Sequence, residues 1–314
     1  MSDLAREIIL HNYPQSPVAE KVRVALGIKD LTWRDVAIPR IPPKPMLTAL
    51  TGGYRRTPVM QLGADIYCDS QNILRALDHI HPEPSFFPTK EAGLMWALSR
   101  WTDGAYFDLA VKIVLGSGVD DLPPDFAKDR GRLYLGQNWA EGLRAANATL
   151  PHLVAQMRAP LSWLDDQLAD GRAFLLGDAP AAIDAQFYHV VWFMRGRWAG
   201  GPAMLSEFEN LVRWEDGVRA LGHGRSAPMD PQDAIARAKS VAPTAAKGVA
   251  PGDPQGLRAG MAVTISPDVD GGEQPVDGTV RFANTDTIII DRTADDVGDI
   301  AVHFPRAGYR VEIV

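Results

Sequence analysis

Cysteine is almost absent from this 314-residue chain, which contains Cys68 alone. A single thiol excludes an intrachain disulfide, and nothing in the cysteine usage points to an oxidising compartment, so a cytoplasmic protein is expected. Long apolar runs are missing too. The N-terminal stretch offers only Ile8 to Leu10 as an uninterrupted apolar core, too short for an export signal, and no run reaches transmembrane length, so neither export nor membrane anchoring is expected. There is no basic excess: 32 Lys and Arg stand against 39 Asp and Glu, and a net charge of −7 gives no long-range attraction to nucleic acid or anionic lipid. The seven histidines (His11, His79, His81, His152, His189, His223 and His303) show no HExxH or Cys/His spacing. Only the His79-x-His81 pair could start a zinc site, and no metal is expected.

What is present is the composition of packed globular domains. Hydrophobic residues make up 46% and charged residues 23%, and the length exceeds that of one ordinary domain, so two or three compact units are expected. Residues 7 to 80 alternate strand and helix patterns. EIILHN reads as a buried strand, Pro17 opens a helix with Val18, Val22 and Ala25 on one face, and LTWRDV alternates like a half-buried strand. After the loop IPRIPPKP come PVMQL and ADIYC, separated by the Gly63-Ala64 turn, and then a helix with Ile73, Leu74, Leu77 and Ile80 at helical spacing. The order is βαβ, loop, ββα.

His81 to Pro88 reads as a proline-rich linker, after which nearly everything from Lys90 to about Leu221 has a helical pattern, and Trp96, Trp101, Trp163 and Trp192 fall within it, a stripe read mainly as packing. Residues 226–256 are rich in Ala, Pro, Gly and Asp, the composition of a linker with one short helix at DAIARAK. From Leu257 the period changes to two: MAVTIS, VDGTVRF, DTIIIDR, DIAVHF and YRVEIV are five short alternating segments. The expected division is therefore 1–80, an α/β domain; 89–225, an all-helical domain; 226–256, a linker; and 257–314, an autonomous five-stranded β-barrel or roll. This last unit is expected to fold alone, or to dock on the helical domain through Phe304 and Tyr309. From Pro251 onward eleven acidic residues face five basic ones, which makes an oligonucleotide-binding role for such a barrel improbable.

Three short segments carry chemistry. Ser16 precedes Pro17 just after the first strand; proline suits the first helical position, so Ser16 is the expected N-cap, with its hydroxyl at a helix end that favours an anion. Pro58 opens a strand in the middle of a small sheet, and a cis Thr57-Pro58 bond would turn backbone groups of Thr57 or Val59 outward toward a peptide-like ligand. Asp69-Ser70 sits at a strand-to-helix junction, either as a capping pair or as a carboxylate and hydroxyl that hold a ligand's ammonium and carboxylate.

In this order and spacing, Ser16-Pro17 with Lys21-Val22-Arg23, then Thr57-Pro58, then Asp69-Ser70 closely resemble the N-terminal domain of the glutathione S-transferases. The resemblance extends to Leu161–Leu168 and to Phe174-Leu175-Leu176-Gly177-Asp178 with the following Ala179–Asp184, similar to that family's helical core segment, and covers about residues 7 to 221. It implies an α+β multidomain chain: a thioredoxin-like α/β domain and an all-α domain of glutathione-transferase C-terminal type, here followed by the small β unit, which has no counterpart in the ordinary family architecture. Ala181 stands where the family usually has Ser or Thr, so a reciprocal capping box would be half lost.

The activity implied is attack of the glutathione thiolate on a small electrophile, in detoxification, by a homodimer with glutathione as co-substrate. Ser16 would activate the thiol, with Tyr13 as its rival; Asp69 and Ser70 would hold the γ-glutamyl end, Thr57, Pro58 and the Val59 backbone the cysteinyl part, and Arg40 or Lys44 the glycyl carboxylate. Tyr106 would line the electrophile pocket. Serine rather than cysteine at position 16 disfavours disulfide exchange, because a hydroxyl forms no mixed disulfide. Cys68 reads as a packed thiol. The alternatives are a glutathione-dependent lyase, isomerase or dehalogenase, and a non-catalytic binding or scaffold protein.

Overall fold

The computed structural model describes residues 7–87, 92–269 and 271–314, which divide into two compact units. The first comprises the described residues up to Ala19, Thr32–Ala76 and Arg225–Val314; the second comprises Glu20–Leu31 and Leu77–Gly224. The chain opens with β1 (Ile8–Asn12), α1 (Pro17–Ile28), β2 (Thr32–Ala37), α2 (Pro45–Thr51), β3 (Val59–Leu62), β4 (Asp65–Cys68) and α3 (Ser70–Ile80). The order is βαβαββα, that of a thioredoxin-like fold; the expected βαβ and ββα segments are present, and α2 occupies the stretch expected to be a loop. Every residue of β1 is buried, as its apolar run requires of a strand covered on both faces. It lies parallel to β2, with Ile8 opposite Trp33, and antiparallel to β3, with His11 opposite Val59. The β3–β4 hairpin turns at Gly63, whose φ of 58° suits glycine, and pairs Val59 with Cys68.

In the second unit the helices are α4 (Ala92–Thr102), α5 (Ala105–Ser117), α6 (Pro124–Leu135), α7 (Trp139–Ala148), α8 (Leu150–Gln167), α9 (Ala182–Arg197), α10 (Gly201–Leu205) and α11 (Glu209–Ala220). The helical pattern expected from Lys90 breaks at Asp103-Gly104, and Lys90 and Glu91 lie outside the described residues. Residues 182–191 of α9 are all buried, so this helix is the axis of the unit. Its start is fixed by Asp184, whose carboxylate accepts from the Leu175 and Ala181 N–H groups, each at 2.9 Å, and from Trp214 Nε1 at 2.8 Å. The methyl group of Ala181 accepts nothing, so the capping box is one-sided, as the sequence implied. Lys21, fully buried, pairs with Asp103. Trp101 stacks on Tyr106 at 4.7 Å and 8°, and Tyr106 is only 1% exposed; it is a core side chain and not the lining of an open pocket. Trp163 departs from the packing role in the other direction, being 63% exposed.

The C-terminal third differs from expectation. Residues 226–256 are not a bare linker: they carry most of β5 (Arg225–Pro228), which pairs parallel to β2, then α12 (Pro231–Lys239) and β6 (Gly248–Val249). The small side chains that resemble linker composition allow close packing instead, with Ala234 and Ala238 fully buried on α12. Beyond them β7 (Ala262–Pro267), β8 (Val276–Ala283), β9 (Thr287–Ala294), β10 (Gly298–Pro305) and β11 (Tyr309–Ile313) are the five expected strands, but they do not close into a barrel. Among the described residues they continue one eleven-stranded sheet in the order β11-β7-β8-β9-β10-β4-β3-β1-β2-β5, with β6 paired to β8. β10 runs parallel to β4, Val302 opposite Ile66. The strands therefore form no autonomous unit. A single core holds Leu47, Leu50, Tyr54 and Ile66 together with Val263, Ile290, Val302 and Phe304. The physical reason is the edge of β4, whose unpaired backbone groups and apolar neighbours β10 satisfies and covers. Phe304 and Tyr309, read as exposed groups through which the unit could dock on the helical domain, are instead buried beside Tyr54.

Candidate active site

β1, β2, β4 and β10 are mutually parallel through the pairings given above, so their carboxyl ends point the same way. His11, Val59 and Cys68 stand in register across β1, β3 and β4. As a result the Tyr13–Ser16 turn, the loop after β2 with Arg40 and Lys44, the Thr57-Pro58 entry to β3 and the Asp69-Ser70 junction all leave the sheet at one end. Open sheets of this kind bind ligands outside the carboxyl ends of their strands.

Ser16 is the N-cap of α1. Its Oγ accepts the Ala19 N–H at 3.1 Å, its own N–H donates to the Tyr13 carbonyl at 3.1 Å, and the residue is 2% exposed. Accepting with the oxygen does not use the hydroxyl proton, so a capping serine retains a donor. Tyr13 is half-buried, packed against the core shared with the C-terminal strands, and its ring lies 5.6 Å from Lys44 Nζ. The Thr57-Pro58 peptide is cis, and Val59 is fully buried. Lys44 is 4% exposed, and its ammonium donates to the Arg55 carbonyl at 3.0 Å and to Thr57 Oγ1 at 3.1 Å, tying the loop after β2 to the approach to Pro58. Arg40 is exposed.

Asp69 has a φ of 73°, a left-handed conformation uncommon outside glycine but adopted more readily by asparagine and aspartate than by most residues. Oδ1 accepts the Gln71 N–H at 2.8 Å and so caps α3, while Oδ2 is 3.0 Å from the hydroxyl of Tyr309. Ser70 is 3% exposed. Cys68 is fully buried, and burial together with the Asp69 charge pushes its thiol pKa up, so it stays protonated and is no nucleophile.

The sequence pattern missed the groups that the C-terminal strands bring to this end of the sheet. Tyr309 is one, and it meets Tyr54, from the segment between α2 and β3, at 3.2 Å. Glu273 grips the guanidinium of Arg56 as a fork, Nε–Oε1 2.7 Å and Nη2–Oε2 2.6 Å, immediately before Thr57. No local signal marks these residues, since the partners are more than 200 positions apart. Among the described residues no group of three or more His, Cys, Asp or Glu is placed to hold a metal ion, and no helix is long and apolar enough to cross a membrane.

Comparison with known proteins gives a family model described as glutathione S-transferase, N-terminal domain, over residues 10–85, and one described as glutathione S-transferase, C-terminal domain, over residues 137–217. Among solved structures, a GST-like protein from Pseudomonas syringae is 34% identical with a TM-score of 0.81, the match covering 98% of this chain and 99% of that one. The beta-etherase LigF from Sphingobium sp. strain SYK-6 is 13% identical with a TM-score of 0.52, over 68% of this chain and 98% of that one, a likeness of fold alone. No curated protein matches the chain by sequence.

Proposed function

This chain belongs to the glutathione S-transferase family, and from that premise we propose that it binds glutathione at the carboxyl end of the sheet and joins the glutathione thiolate to a small electrophile. The observation that carries this reading is the convergence of Ser16, cis Thr57-Pro58 and Asp69-Ser70 at one end of the sheet. The Asp69 carboxylate and the Ser70 hydroxyl take the ammonium and carboxylate of the γ-glutamyl group. The peptide groups beside Pro58, at Thr57 and Val59, take the cysteinyl residue. Arg40, exposed in the loop, suits the glycyl carboxylate better than Lys44, which is buried and bonded to the Arg55–Thr57 segment.

The cysteinyl sulfur is thereby directed to the N-terminus of α1. A free thiol is mostly protonated at neutral pH, and a hydroxyl donor at a helix N-terminus stabilises the thiolate. The thiol proton passes to solvent, and the Ser16 hydroxyl donates a hydrogen bond to the resulting thiolate sulfur while its oxygen keeps the Ala19 N–H. The sulfur lone pair forms the new bond to the electrophilic carbon, and the electron pair displaced there leaves with the leaving group or is protonated by solvent. Tyr13, turned toward Lys44 and the core, is the less favoured activator. A homodimer is part of the same proposal, by analogy with the family architecture.

Calorimetric titration with glutathione tests the reading. The wild type should bind, and Asp69→Ala should weaken binding by about 1.5–3 kcal/mol through loss of a charge-assisted contact. Absence of any heat with the wild type removes the proposal.

A further inference from the structure

We propose that the last strand of the sheet completes the glutathione pocket, with Tyr309 as a positioning residue that orients the Asp69 carboxylate toward the γ-glutamyl ammonium. This rests on the glutathione reading above and adds to it a role for the C-terminal strands.

Asp69 Oδ1 is engaged by the Gln71 N–H, which leaves the carboxylate able to swing about its side-chain torsion unless Oδ2 is held as well. Tyr309 holds it at 3.0 Å. The direction of this bond follows from proton counting. The carboxylate only accepts, and a phenol has one proton, so Tyr309 donates to Asp69 while Tyr54, 3.2 Å away, donates to the Tyr309 oxygen. Burial, reinforced by the negative Asp69, pushes both phenols well above their ordinary pKa, so both remain donors across the working range. A neutral donor fixes the plane of the carboxylate without cancelling its charge, and the remaining lone pairs stay directed for a cation.

The donor itself is rigidly placed. Tyr309 opens β11 opposite Pro267 of β7, and its ring is enclosed by Phe304 at 5.6 Å and Tyr54 at 6.3 Å, with Tyr54 edge-on to Phe304 at 74°. The Glu273 fork on Arg56 holds the segment between Tyr54 and Thr57 from the same C-terminal region. Two independent contacts, one from the start of β11 and one from the loop between β7 and β8, thus converge on the two segments proposed to receive glutathione, which is what a built part of a pocket requires.

The test is calorimetry with two ligands: glutathione, and glutaryl-cysteinylglycine, which lacks only the α-amino group. Tyr309→Phe keeps the ring packing and removes the hydroxyl. It should weaken glutathione about tenfold and the deamino ligand less than about twofold, because a positioning role acts only through the ammonium. Asp69→Asn combined with Tyr309→Phe should bind glutathione no more weakly than Asp69→Asn alone. Tyr54→Phe, which leaves the Tyr309–Asp69 bond in place, should give a smaller loss confined to glutathione, and it serves if Tyr309→Phe does not fold. Equal losses for both ligands, or no loss at all, overturn the positioning role while leaving wild-type glutathione binding intact. A wild type that takes up no glutathione overturns this inference together with the reading on which it stands.

Discussion

Asp65 on β4 and His303 on β10 are joined by a hydrogen bond of 3.0 Å between Oδ1 and Nε2. The same carboxylate accepts the Thr244 N–H at 2.7 Å, the Thr244 hydroxyl at 2.8 Å and the Ala245 N–H at 3.2 Å. It is 1% exposed. Although burial opposes its charge, His303 and Thr244 together hold its pKa below the usual carboxylate value. Asp65→Ala strands these donors in the interior, and the expected cost is about 2–4 kcal/mol of unfolding free energy. Urea denaturation of the two proteins measures it, and an unchanged midpoint would show that the joint between β4 and β10 does not depend on this carboxylate.

Truncation before Pro251 should be far more damaging. It removes β7–β11, uncovers the edge of β4, and exposes Leu47, Leu50, Tyr54 and Ile66 of the shared core. The shortened chain is expected to aggregate or to melt well below the full chain, as thermal circular dichroism would record. A truncated protein with the native melting temperature would mean that the last five strands are dispensable to the first unit.

Ser16→Ala separates capping from chemistry. Loss of the Ala19 bond should cost about 1 kcal/mol of stability, whereas loss of the thiol donor should lower turnover with a model electrophile more than it weakens glutathione binding and should raise the pKa of the bound thiol. Spectroscopic titration of the thiolate in the complex, beside steady-state rates, measures both effects. An unchanged rate in Ser16→Ala with a collapsed rate in Tyr13→Phe would transfer the role to Tyr13.

The difference between what could and could not be read from the chain is one of range. Ser16 and Asp69 announce themselves because helix caps are local, written in a residue and its next few neighbours. The period-two segments from Ala262 to Ile313 were legible as strands for the same reason. Which strand β10 would pair with was not, since alternation fixes the buried face but not the partner, and the βαβ, ββα pattern leaves β4 as an edge without saying what covers it. Tyr309 was invisible as a site residue: it lies 240 positions from Asp69 and reads as one more apolar group of a strand. The alanines of α12 misled in the opposite sense, because small side chains mark linkers and tight packing alike.

His11, on the interior strand β1, provides a pH test. It is 1% exposed, and its Nε2 lies 2.9 Å from Gln61 Oε1. Burial dominates and lowers its pKa from 6.5 to about 4, with the Gln61 bond opposing. The native ring is therefore neutral where the unfolded ring already binds a proton. Its contribution to stability is complete above pH 6.5 and is lost as the pH falls toward 4, in total about 3 kcal/mol. Urea midpoints at pH 7, 6 and 5 should fall steeply for the wild type and more gently for His11→Asn, whose side chain does not titrate. His189, also buried and held far below its ordinary pKa by burial and by Lys21, remains in both proteins, so a residual slope is expected in the variant. Parallel loss of stability in the two proteins between pH 7 and 5 would exclude His11 as a source of acid sensitivity.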